Sequence, residues 1–196
     1  VAPAGAGKTF VALHRMKQVI DETKSDGPTV LFVAKSRALG FFVSRWLLER
    51  AKNGNQRGNQ RAIDALLRRV HILMPLTREL VKVGRDLRAN VILMEAVPPP
   101  PPQSEHSYAL VVVDEAHHLY GIPEMAKQIE AHVGATTRRL LLSDVSQSLG
   151  EHIRYPEAVG LHKPKDWIRL TEVVRSSQRI VAAANAFRFD APGSDV

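Results

Sequence analysis

The 196-residue sequence predicts an α/β fold, a three-layer sandwich built on a mostly parallel sheet. Three observations carry that expectation. A glycine-rich opening, Val1-Ala2-Pro3-Ala4-Gly5-Ala6-Gly7-Lys8-Thr9, runs straight into a stretch of helical periodicity. Short continuous apolar runs rich in β-branched residues recur along the chain, of which Tyr108-Ala109-Leu110-Val111-Val112-Val113 is the clearest, and such runs suit strands buried on both faces. These runs alternate with helical stretches, the order a doubly wound sheet requires.

The elements follow in order. Residues 9–23 form a helix whose N-terminus faces the opening loop, with Leu13, Met16, Val19 and Ile20 spaced along its buried side. Asp26-Gly27-Pro28 ends it. Residues 29–34 are the next strand and 38–50 a helix, while 70–74 and 91–94 are further strands. The repeat Gly54-Asn55-Gln56-Arg57, Gly58-Asn59-Gln60-Arg61 reads as a solvated connection. Pro98 to Pro102 forms an unbroken run that imposes polyproline II geometry and removes backbone donors, so it reads as an exposed rigid spacer at residues 98–107. Strands at 108–113 and 138–142 complete the pattern.

The opening loop has the chemistry of a phosphate-binding P-loop. Its glycines let backbone N–H groups point at a triphosphate, the lysine reaches the outer phosphates, and the threonine hydroxyl holds Mg²⁺. The nucleotide-contacting set is therefore Ala4, Gly5, Ala6, Gly7, Lys8 and Thr9, with Ala2 at the usual place of the first glycine. The strand at 108–113 ends in Asp114-Glu115-Ala116-His117. A carboxylate there can hold the Mg²⁺ of a bound nucleotide, and the next can polarise the attacking water, which assigns Asp114, with Thr9, to the metal and Glu115 to the base. Alone, the acidic pair would read as a helix N-terminus favoured by its dipole; beside a P-loop it reads as the second half of a nucleotide site.

The strand at 138–142 runs into Ser143-Asp144-Val145-Ser146-Gln147, whose glutamine is placed to sense the γ-phosphate. It is followed by Leu170-Thr171-Glu172-Val173-Val174-Arg175-Ser176-Ser177 and a helical stretch at 181–187. In this order the chain resembles superfamily 1 helicases, particularly the UvrD/Rep-like group and the Schlafen-type and viral-type helicase domains. The P-loop resembles their motif I, and Asp114-Glu115-Ala116-His117 their motif II. Ser143 to Gln147 resembles motif III, and Val174-Arg175-Ser176-Ser177 with Ile180 and Asn185 resembles motif IV. The strand and loop from Val30 to Leu39 resemble motif Ia, which touches single-stranded nucleic acid. His117 stands where motif II usually has glutamine, and Ser143 where motif III usually has glycine. The resemblance implies a RecA-like domain that hydrolyses ATP with Mg²⁺ and acts on single-stranded DNA or RNA. It also implies that Gln147 couples nucleotide state to nucleic-acid contacts and that Arg175 reaches the γ-phosphate as an arginine finger.

Composition agrees. The chain has 27 Lys and Arg against 20 Asp and Glu, a formal charge of +7 that favours a polyanionic partner. It contains no cysteine, which excludes disulfides, thiolate metal sites and cysteine nucleophiles. No signal-like terminus or long apolar run is present, so a soluble, cytoplasmic protein without membrane contact is expected. The histidines show no ligand spacing, which disfavours a metal role; His117 reads as a polar relay between motifs II and III. Trp46, among Phe41, Phe42, Val43 and Leu47, reads as core.

Residues 1–189 read as one RecA-like ATP-binding domain and 190–196 as a linker. Only Val1 and Ala2 remain of a strand before the P-loop, so a fragment lacking its second RecA-like domain is expected, weak in nucleotide binding, without unwinding and with a poorly supported sheet centre. The reading is an ATP-hydrolysing motor domain. Its alternative is a P-loop ATPase switch of a signalling or defence protein that binds a protein partner.

Overall fold

A computed structural model describes residues 7–24, 27–53, 59–95 and 108–143. The segments at 54–57, 98–107, 144–147 and 170–187, the tail at 190–196 and with them the proposed domain limits lie outside the described residues. Helix α1 (Lys8–Glu22) follows Gly7, whose φ of 80° is the left-handed conformation that glycine adopts at little cost. An added Cβ there would meet nothing within 4 Å, so the backbone angle and not crowding calls for glycine. The helix buries Ala12, Leu13, Met16, Val19 and Ile20, the expected stripe. Thr23 ends it by returning both its N–H, at 3.0 Å, and its hydroxyl, at 2.7 Å, to the Val19 carbonyl. Arg69 then clamps this end: its guanidinium donates to the carbonyls of Ile20 and Thr23 at 2.6 and 2.7 Å and to Thr29 Oγ1.

The remaining elements are β1 (Val30–Val33), α2 (Arg37–Asn53), α3 (Gln60–Arg68), β2 (Val70–Met74), β3 (Glu79–Arg85), β4 (Val91–Glu95), β5 (Leu110–Val113), α4 (Ala116–Leu119), α5 (Pro123–Glu130) and β6 (Arg138–Leu141). The described strands form one sheet in the order β4-β3-β2-β1-β5-β6. β2, β1, β5 and β6 run parallel, and β3 and β4 extend the sheet as an antiparallel meander. Every residue of β1 and β5 is buried because the period of two sends neighbours to opposite faces, and both faces are covered. Val30, Phe32, Leu110 and Val112 join α1, α2 and α3 in one core. Leu31, Val33, Val111 and Val113 join α4 and α5 in the other. This is the expected three-layer α/β sandwich.

One expectation changes. Residues 59–61 are not wholly loop: Asn59 Oδ1 accepts the Ala62 N–H at 3.1 Å and caps α3, which takes in Gln60 and Arg61. Among the described residues β1 and β5 are paired on both sides, and β4 and β6 are the edge strands, each with one described neighbour. Trp46 is partly buried against the core, edge-on to His14 and with Arg50 over its ring. No helix among the described residues is long and apolar enough to cross a membrane.

Candidate active site

Parallel strands in register end at one edge: Val33, Val113 and Leu141 are aligned across β1, β5 and β6. In open α/β sheets this carboxyl edge is where ligands bind. The start of α1 meets it directly. Thr9 Oγ1 donates to Asp114 Oδ2 at 3.4 Å, bringing together residues 105 positions apart. The other carboxylate oxygen, Asp114 Oδ1, accepts the Glu115 N–H at 3.0 Å. Asp114 is only 5% exposed. Burial, and after it the charge of Glu115, pushes its carboxyl above the ordinary range, opposed by the Glu115 N–H, the Thr9 hydroxyl and the charge of Lys8.

Thr9 and Asp114 present hard oxygen ligands 3.4 Å apart. Adjacent oxygens around Mg²⁺ lie about 3 Å apart, given metal–oxygen distances of about 2.0–2.1 Å in an octahedron. The pair fits that ion after a shift of a few tenths of an ångström. Without it, Asp114 is a buried carboxylate beside a second carboxylate, and its raised pKa means that the ionised form weakens the fold at neutral pH. Asp114→Asn keeps both contacts, since an amide oxygen accepts the Glu115 N–H and an amide nitrogen donates to Thr9. The variant is expected to raise the thermal midpoint of the nucleotide-free chain in scanning fluorimetry while abolishing Mg²⁺-dependent hydrolysis; a lowered midpoint with hydrolysis kept would contradict both roles.

Glu115 sits at φ 50° and ψ 41°, the left-handed region that costs a non-glycine residue about 1 kcal/mol or more. The neighbourhood enforces it. Asp114 N–H still pairs with the Val33 carbonyl at 3.2 Å, Ala116 N–H donates to the Leu142 carbonyl at 2.9 Å, and His118 N–H to the Glu115 carbonyl at 2.9 Å. The chain thus turns from strand to helix within two residues, Asp114 and Glu115, and the second carries the candidate base. Glu115 Oε2 is buried, accepts no hydrogen bond among the described residues, and lies 3.4 Å from His117 Nε2.

The structure therefore brings Thr9, Asp114 and Glu115 together at the start of α1, with the charge of Lys8 acting on Asp114. Ala4, Gly5, Ala6, Gln147 and Arg175 lie outside the described residues. His117 is buried against Glu115, and a described link from motif II to the β6 end is the backbone bond from Ala116 to Leu142. The left-handed turn at Glu115 was missed from sequence because nothing in the residue type signals it.

A P-loop helix facing paired carboxylates at the carboxyl edge of a mostly parallel sheet defines a P-loop NTPase. The chain belongs to the DEAD/DEAH box helicase family, whose family model matches residues 1–144, and Asp114-Glu115-Ala116-His117 spells the DEAH form of its name. No curated protein and no solved structure matches the chain.

Proposed function

We propose that this chain is the ATP-binding and hydrolysing motor domain of a superfamily 1 helicase-like protein acting on single-stranded nucleic acid. The observation that carries the reading is the Thr9–Asp114 contact, which joins the two halves of a nucleotide site across 105 residues. The loop amides of Ala4 to Gly7 and the Lys8 ammonium bind the phosphates, and Thr9 Oγ1 and Asp114 hold Mg²⁺. When bound, Mg²⁺ neutralises charge on the β- and γ-phosphate oxygens. Glu115 orients the attacking water and takes its proton on the carboxylate. Gln147 and Arg175 act on the γ-phosphate, and the superfamily 1 placement rests on their segments, Ser143 to Gln147 and Val174 to Ser177. The net charge of +7 supports a polyanionic partner.

The test is ATP hydrolysis by the full-length protein, with and without single-stranded DNA or RNA, beside Lys8→Ala. Stimulation by nucleic acid that is lost in Lys8→Ala is expected. Hydrolysis indifferent to nucleic acid but changed by a protein partner favours the signalling switch and overturns the motor reading.

A further inference from the structure

We propose that Glu115, His117 and His118 form a transition-metal site, with Zn²⁺ the fitting ion, and that filling it silences hydrolysis; the second half rests on Glu115 being the base. The three side chains each offer a ligand atom, and these atoms all lie within 4.8 Å of one another. One edge of the site is already formed. His117 Nε2 and Glu115 Oε2 are 3.4 Å apart, and two ligands about 2.0–2.1 Å from a tetrahedral Zn²⁺ are separated by roughly 3.4 Å. The third ligand has freedom to close in, because His118 is exposed while the His117 side chain is only 2% exposed.

The arrangement is not what a helix supplies by default. Consecutive helical residues do not face each other. Yet the His117 and His118 rings lie 4.2 Å apart, tilted by 38°, in the single turn that follows the left-handed Glu115. Glu115 Oε2 keeps its lone pairs open, with no hydrogen bond donated to it among the described residues. Two imidazoles and one carboxylate match the ligand set of zinc sites that leave a fourth position to water.

Ligand type separates this site from the neighbouring one. Thr9 and Asp114 offer only oxygen, which suits Mg²⁺, whereas imidazole nitrogen selects Zn²⁺ and its transition-metal relatives. The ions therefore sort by chemistry. Zn²⁺ on Glu115 Oε2 takes up the electron pair that would accept a proton from water, so hydrolysis stops although Mg²⁺ and nucleotide sites remain intact.

The experiment uses untagged protein. Co²⁺ titrated into the 196-residue chain should give the intense visible absorption of tetrahedral Co²⁺ at one equivalent, bleached by Zn²⁺. His118→Ala and His117→Gln should each weaken binding by at least about tenfold, a conservative figure since even residues supporting a metal ligand carry that much. His118 is exposed, so its variant tests the site without disturbing the core. In the full-length protein under excess Mg²⁺, buffered free Zn²⁺ should stop ATP hydrolysis in wild type and spare His118→Ala. No tetrahedral spectrum, or an equal one in both variants, overturns the site. Binding without inhibition overturns the silencing. If wild type hydrolyses nothing at all, the ATPase reading fails, and the Co²⁺ titration still decides the metal site.

Discussion

Replacing Glu115 with glutamine is expected to lower ATP hydrolysis in the full-length protein by about two to four orders of magnitude, the usual worth of a positioned general base. Binding of Mg²⁺-nucleotide should be retained. The separation of effects follows from where the two carboxylates sit. Asp114 is held by Thr9 Oγ1 and by the Glu115 N–H, contacts that Glu115→Gln leaves untouched because residue 115 contributes only its backbone N–H to the second. Glutamine is nearly isosteric and carries the same left-handed backbone strain, so the turn between β5 and α4 should persist. What disappears is the proton-accepting oxygen beside His117. Single-turnover hydrolysis and equilibrium binding of a fluorescent nucleotide measure the two halves separately. Wild-type turnover in the variant would remove Glu115 from its role, and lost nucleotide binding would reassign it to the metal.

The second large effect concerns acid stability and lies away from the nucleotide edge. His71, on β2, bonds through Nδ1 to the Tyr108 hydroxyl at 2.7 Å and faces Lys82 across the antiparallel β2–β3 pair. Burial first, then the charges of Lys82 and His132, lowers its pKa from 6.5 to about 4. Burial also lowers the pKa of His132, whose ring packs on Tyr108, and raises that of Tyr108 itself. The folded state thus favours neutral imidazole. Below pH 6.5 the unfolded chain gains a proton that folded His71 refuses until about pH 4, so stability is full above this window and falls as the pH drops through it.

At about 1.36 kcal/mol per pH unit the loss from His71 is on the order of 3 kcal/mol, a large share of an ordinary domain's stability. Urea unfolding of the chain at pH 7 and at the acid end of the window should show it. His71→Gln removes the titrating group while keeping an amide able to bond Tyr108, and it should flatten most of the slope, leaving the smaller part due to His132. A slope unchanged by the substitution would show that other groups govern acid unfolding.

Some elements were legible because their physics is local. The β1 and β5 runs are continuously apolar because both faces of a central parallel strand are buried, and α1 showed its stripe because one face of a helix meets the sheet. Others were not. α3 has nine residues and only Ile63, Leu66 and Leu67 buried, behind a Gly-Asn-Gln-Arg repeat that resembles a loop. β3 buries just Val81 and Val83 on either side of exposed Lys82, an alternation too short to stand out beside charged neighbours. α5 enters through Pro123, which reads equally as a turn.

The sequence by itself determined the chemistry available: a glycine able to hold φ 80°, a lysine and threonine behind it, two consecutive carboxylates after a buried strand, and two histidines beyond them. Those follow from residue type and short spacing, which act within a few residues. Only the tertiary structure decided that Thr9 meets Asp114 and that Glu115 is turned left-handed against His117. The first depends on a parallel sheet aligning strand ends 105 residues from the helix start, and the second on backbone bonds to Val33 and Leu142 that neither carboxylate can specify alone.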